Sequence, residues 1–98
     1  MKEKMTGAEL IAEERKRQIE IEGFTIEHDL KEHTVNNLIS AARCYLNPLE
    51  SMYWPFERKW FKPKNIIKDL VRAGAFIAAT LDLYKEKYPE EFEEFLNA

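Results

Sequence analysis

The chain has 98 residues, 45% of them apolar and 34% charged, with a formal net charge of -3. That length suits one domain near the lower end of what folds alone. The mild negative charge argues against generic nucleic-acid binding through an overall positive field. A single cysteine, Cys44, leaves neither an intrachain disulfide nor a cysteine-cluster zinc site. The opening MKEKMTGAEL lacks the apolar run of a signal peptide, and no stretch approaches the roughly 18 apolar residues of a membrane span. The expectation is a reduced, cytoplasmic, soluble protein with one helical domain over residues 1–98. A small domain with many rings to cover is expected to form a homodimer. Charge is uneven along the chain: residues 57–64 (ERKWFKPK) are basic and residues 90–94 (EEFEE) acidic.

The first helix is predicted to begin behind Thr6, because Thr6-x-x-Glu9 reads as a capping box, and to stop at Gly23, a natural C′ residue. Leu10, Ile11, Glu14, Gln18 and Ile21 share one face at helical spacing. Two of these five are polar, and a carboxylate facing a core is costly unless it is paired, hydrogen-bonded or bound to a metal. In one reading Glu14 pairs with an Arg or Lys of the third helix and Gln18 bonds a loop carbonyl. In the other both belong to a metal or substrate site, since bundles build metal centres from inward carboxylates. Oxygen ligands there would select Mg²⁺ or Mn²⁺.

Phe24 to Lys31 lacks clear periodicity and is predicted to be a connector. It crowds Thr25, Glu27, His28 and Asp29 together, with Glu32 and His33 just beyond. Those residue types suit zinc or iron, but the spacing fits no HExxH-type motif. Asp29 reads as a turn or capping residue, and His28 is the better of the two candidate ligands.

A second helix is predicted from after Thr34 to near Asn47-Pro48, with Val35, Leu38, Ala42 and Tyr45 as its apolar stripe. Residues 48–64 are broken by Pro48, Pro55 and Pro63 and crowded with Tyr53, Trp54, Phe56, Trp60 and Phe61. So long a loop is usually functional or packed by its own side chains. Packing against the helices or a second subunit would cover its rings. Trp54, Arg58, Trp60, Lys62 and Lys64 also form an aromatic and basic set that could stack a base and hold phosphates. There is no Gly-rich phosphate loop.

The third helix is predicted over about Asn65 to Lys85, with a wide apolar surface that marks it as central. Asp69 either favours its dipole and pairs with Arg72, or joins Glu14 as a second metal ligand. Asp82 is expected to be exposed. A short fourth helix opens with Pro89, with Glu90 and Glu91 complementing its dipole. No strand pattern competes. The class is all-α: a compact bundle of three main helices plus a short C-terminal one, with a long aromatic loop between helices two and three.

The run Glu14-Arg15-x-Arg17-Gln18-x-Glu20-x-Glu22-Gly23-Phe24-Thr25-x-Glu27-His28-Asp29 resembles the N-terminal signature of a family of small, largely uncharacterised phage and prophage accessory proteins. Ala41-Ala42-x-Cys44-Tyr45, Trp54-Pro55-Phe56, Trp60-Phe61-Lys62-Pro63 and Asp69-Leu70-Val71-Arg72-Ala73-Gly74-Ala75 resemble its later blocks. More distantly the chain is similar to all-α MazG-like nucleoside triphosphate pyrophosphohydrolases. That likeness implies Mg²⁺-dependent cleavage between the α and β phosphates, usually in a dimer. Those enzymes use an ExxE pair on one helix and an ExxD pair on the next. Here Asn37 and Ser40 stand on the second helix, and Ile66 stands three residues before Asp69.

Two functional expectations follow. In the first the protein handles nucleotides: Glu14 and Asp69 hold Mg²⁺, Gln18 and His28 orient substrate or water, and Trp54, Arg58, Trp60, Lys62 and Lys64 meet base and phosphates. In the second it is a non-enzymatic accessory module. Its polar stripe on the first helix then fixes helix register, and its aromatic loop contacts a protein partner.

Overall fold

The computed structural model describes residues 4–98. Its helices are α1 (Gly7–Glu20), α2 (Ile26–Glu32), α3 (Val35–Leu46), α4 (Ile66–Lys87) and α5 (Pro89–Leu96). Two 3₁₀ turns, Pro48–Tyr53 and Arg58–Trp60, lie between α3 and α4, and no strand occurs among the described residues. The all-α bundle is as expected, with one addition.

That addition is α2. Thr25 Oγ1 accepts the His28 N–H at 3.1 Å as an N-cap, Glu27 and Asp29 sit in the first turn, and Lys31 sits in the last. These termini satisfy the ordinary requirements of a helix. At seven residues it spans about two turns, too few for an apolar stripe to declare itself. The segment predicted as a connector is therefore mostly helical.

The two longer starts follow their caps. Thr6 and Glu9 exchange both bonds of a capping box, at 3.0 and 3.2 Å. Thr34 forms another with Asn37, at 3.0 and 3.1 Å. The asparagine side chain here does the work usually given to Glu or Gln. α1 ends at Glu20, one turn before the expected stop, and Gly23 turns the chain at φ +76°. Ile21 then leaves the buried face and stands 74% exposed.

The core lies between α3 and α4. Leu38, Ala41, Ala42 and Tyr45 follow i, i+3, i+4, i+7 spacing and are all buried, as are Ala73, Phe76, Ala79 and Leu83 opposite them. The alanines let the two backbones approach, while Tyr45 and Phe76 stack at 5.9 Å. α1 crosses α4 on its other side at Gly74, where an added Cβ would meet Ile11 Cδ1 at 2.5 Å and Cγ1 at 2.7 Å. The aromatic connection folds onto this pair. Trp54 is buried against Tyr45, Phe56 and Phe61, with its indole N–H donating to the Glu57 carbonyl at 3.0 Å. Arg43 clamps Glu50 through two bonds of 3.0 and 2.8 Å, fixing the first 3₁₀ turn. α5 packs back on α4 through the Tyr84–Tyr88 ring pair and a hydrogen bond from the Tyr84 hydroxyl to Glu91.

Gly74→Ala is expected to lower the unfolding free energy by about 1 kcal/mol, because overpacking against a stiff β-branched side chain outweighs the gain in helix propensity. In an Ile11→Ala background the same change should stabilise. Urea melts of the four proteins read the reversal of sign.

Burial pushes the Tyr45 phenol above its ordinary range and does the same to the Cys44 thiol. A group whose folded pKa is raised contributes stability below its unfolded value and loses it as pH climbs. Stability should therefore fall from about pH 8.5 and more steeply beyond about pH 10. Tyr45→Phe should flatten the second part of that fall in urea melts across pH.

Candidate functional site

α1 carries a polar buried face, and its residues divide differently from the sequence expectation. Glu14 accepts two bonds from Arg17 of the same helix, at 2.7 and 2.8 Å, and Arg17 reaches on to Glu22 at 3.1 Å. No partner comes from α4. These carboxylates hold the Arg17 guanidinium well above the usual arginine value. The pairing across helices belongs instead to Arg15, which is buried, donates to the Phe24 carbonyl at 3.1 Å and lies 3.6 Å from Asp82 of α4. Asp82 is thus half-exposed and paired rather than simply solvated.

Gln18 sits one turn beyond Glu14 and is 2% exposed. Its side-chain oxygen has no hydrogen-bond partner, and the Phe24 carbonyl, the kind of loop acceptor expected for the Gln18 amide N–H, takes its bond from Arg15. A buried acceptor left unpaired costs about 1–3 kcal/mol.

Gln18 faces a cleft of about 630 Å³ between α1, α2 and the aromatic connection. This lies within the size range of small-molecule sites, which are concave and lined by rings with a few polar groups. Of the residues expected to act, Glu14, Gln18, His28, Trp54, Trp60 and Lys62 line it. Trp54 is chiefly a core residue, whereas Trp60 is 53% exposed, with the Lys59 and Lys62 ammonium groups 5.3 and 5.8 Å from its ring.

Arg58, Lys64 and Asp69 do not join them. Arg58 is exposed on the second 3₁₀ turn. Lys64 meets Asp69 through its backbone N–H, which donates to Asp69 Oδ1 at 2.9 Å. Asp69 is buried at the start of α4 and organises the chain's entry into that helix rather than pairing with Arg72. Arg72 instead donates to the Lys62 carbonyl, stands over the Tyr45 ring at 5.7 Å, and lines the cleft.

Sequence reasoning undervalued α2. Asp29, read as a turn residue, is 1% exposed, and its Oδ1 lies 3.3 Å from His28 Nδ1 and 3.0 Å from His33 Nδ1. One donor atom from each of these three side chains lies within 4.8 Å of the others. Thr25 as an N-cap was the signal available: it starts a short helix that carries His28 and Asp29 and sets His33 at its C-cap, four residues beyond Asp29.

The cleft is close to charge balance. Glu14, Glu22, Glu32 and Glu57 face Arg17, Lys62 and Arg72. Arg17 is engaged by two of those acids, and Glu57 lies 3.6 Å from Lys59. No protein-family model matches the sequence, and no curated protein or solved structure matches it.

Gln18→Met is expected to raise the unfolding free energy by about 1 kcal/mol by removing the orphaned acceptor at nearly constant shape. A loss of stability of that size in thermal or urea melts would show instead that the amide is bonded within the fold.

Proposed function

We propose that the cleft is a nucleotide site and that the protein handles nucleoside triphosphates in the manner of a pyrophosphohydrolase. The observation that carries the binding part is Gln18: a residue lining an aromatic-walled cleft, whose buried amide oxygen has no partner. Such an oxygen calls for a ligand N–H donor. Nucleobases combine donors of that kind with a flat π face that Trp60 can stack against. Lys62 and Arg72 line the same cleft and are the cations available to phosphates there.

The reaction comes from the MazG-like resemblance: water adds at the α-phosphorus and pyrophosphate departs. The Mg²⁺ that goes with it would need open oxygen donors at Glu14 and Asp69. Glu14 has both oxygens on Arg17, and Asp69 Oδ1 holds the Lys64 N–H. Asn37, on the helix where the resemblance calls for further acids, is used up in its capping box. This donor set does not fit Mg²⁺, and the residues named here bind and orient without it.

A second reading has its own observation. Leu46, Leu49, Met52 and Tyr53 are all at least half exposed, with Leu49 at 88%. They lie close together in sequence at the end of α3 and the first 3₁₀ turn. That favours a module that docks on a protein or on a second copy of the chain.

Thermal melting against a panel of ribo- and deoxynucleoside triphosphates tests the first reading. At a hundredfold excess over Kd, binding stabilises by about 2.7 kcal/mol and raises the midpoint accordingly. Gln18→Met should weaken the responding nucleotide tenfold or more while remaining folded, and pyrophosphate should appear on incubation with the wild type. No midpoint shift and no pyrophosphate across the panel would leave the docking module as the better account.

A further inference from the structure

We propose that His28, Asp29 and His33 hold one divalent transition-metal ion of the zinc class beside the cleft. This goes beyond the nucleotide reading and does not depend on it. Asp29 is almost completely buried, and among the described residues its ion-pair contacts are with the two histidines and not with a Lys or Arg. A carboxylate removed from water needs a compensating positive charge. Neither histidine is a permanent cation, whereas a dication held among the three side chains supplies that charge.

The spacing of the carboxylate oxygen to each ring suits an ion as well as it suits a pair of hydrogen bonds. The Nδ1 atoms lie 3.3 and 3.0 Å from one carboxylate oxygen. Adjacent ligands bound to one ion at about 2.0–2.1 Å stand roughly 3.0–3.4 Å apart. Metal binding would replace the hydrogens at Nδ1: each neutral ring carries its proton on Nε2 and turns the Nδ1 lone pair to the ion. Two nitrogens and an oxygen favour zinc, cobalt, nickel or iron over Mg²⁺ and Ca²⁺.

The rings are already held in place. His28 stacks on Phe24 at 5.8 Å, His33 lies 4.6 Å from Phe56, and the two imidazoles meet edge to face at 5.1 Å. Aromatic walls that fix the rings and exclude water lower the cost of assembling a site. Asp29 is enclosed, but both histidines border the cleft, and the His28 side chain is 38% exposed. Three protein ligands with one side open is the pattern of sites that accept water or a ligand oxygen in the remaining position.

The test uses the untagged full chain, stripped with chelator and dialysed, with no nucleotide present. Titration with Zn²⁺ followed by calorimetry should give one ion per chain. Co²⁺ should give visible d–d bands of a low-symmetry site containing nitrogen. Asp29→Asn, His33→Ala and His28→Ala should each weaken Zn²⁺ by at least about 100-fold, taking the loss of a direct ligand to exceed that of an outer partner. His28→Ala, at the more exposed position, keeps the test valid if a change at the buried residues disturbs folding, which circular dichroism monitors. Failure of the wild type to bind Zn²⁺ stoichiometrically, or equal binding by wild type and folded variants, overturns the proposal. Because nucleotide is absent, neither result depends on the nucleotide reading.

Discussion

Tyr45 ties together the parts that make the cleft. Its ring is packed among Trp54, Phe61 and Phe76, and its hydroxyl accepts the Lys62 backbone N–H at 3.1 Å. Arg72 covers the same ring from α4 and closes on the Lys62 carbonyl. One α3 side chain thereby fixes a connection interrupted by three prolines, which has only short 3₁₀ turns of its own. Rings this large contribute substantial burial energy, and the connection would otherwise leave them in water. With this wall in place, Trp60 and Lys62 are set opposite α1 and α2, and the space between becomes a defined cavity rather than a mobile flap.

The opposite wall has a different kind of stability. α1 buries Arg15 and Gln18 where apolar residues would pack better. Two Arg15 nitrogens and the Gln18 oxygen lack hydrogen-bond partners, although Arg15 keeps its contact with the Phe24 carbonyl and its approach to Asp82. These groups cost stability in the protein by itself. A fold whose other half is close-packed alanine and aromatic surface does not need that expense for register alone. Local departures from good packing of this sort are concentrated where chemistry or binding is carried out. In this fold Gln18 borders the same cavity as His28 and His33.

Legibility followed the range of the forces involved. Thr6, Thr34 and Pro89 act within a turn of themselves, and their helices begin where local chemistry places them. The α3 stripe and the breadth of α4 were readable because 12 and 22 residues give the apolar period room to repeat. α2 was hidden because two turns carry no such repeat, and its Asp29–His33 pair was hidden with it. Glu14 was correctly marked as an inward acid in need of a partner, but which cation answers it depends on rotamers, and Arg17 is nearer than anything on α4. Arg15 was overlooked because an arginine beside the apolar stripe reads as solvated. Its burial follows from the packing of α1 against α4, where it approaches Asp82, and no local pattern encodes that. Asp69 was placed correctly in the first turn of α4, yet its task is to hold the backbone of Lys64.

The charge distribution connects the two proposals. A triphosphate brings about four negative charges at neutral pH, and the cleft offers it only Lys62 and Arg72 beyond pairs already satisfied. Two surface-accessible cations cannot offset that charge together with the glutamates on the same walls. A nucleotide would thus bind weakly or through its base unless further positive charge entered with it. The buried Asp29 has the converse deficit: a negative charge with imidazoles but, among the described residues, no permanent cation paired with it. A dication held between His28 and His33 would neutralise that carboxylate and turn its remaining charge toward the cavity. The same ion would meet both needs, and the aromatic enclosure of α2 would strengthen its field on a phosphate by keeping water out.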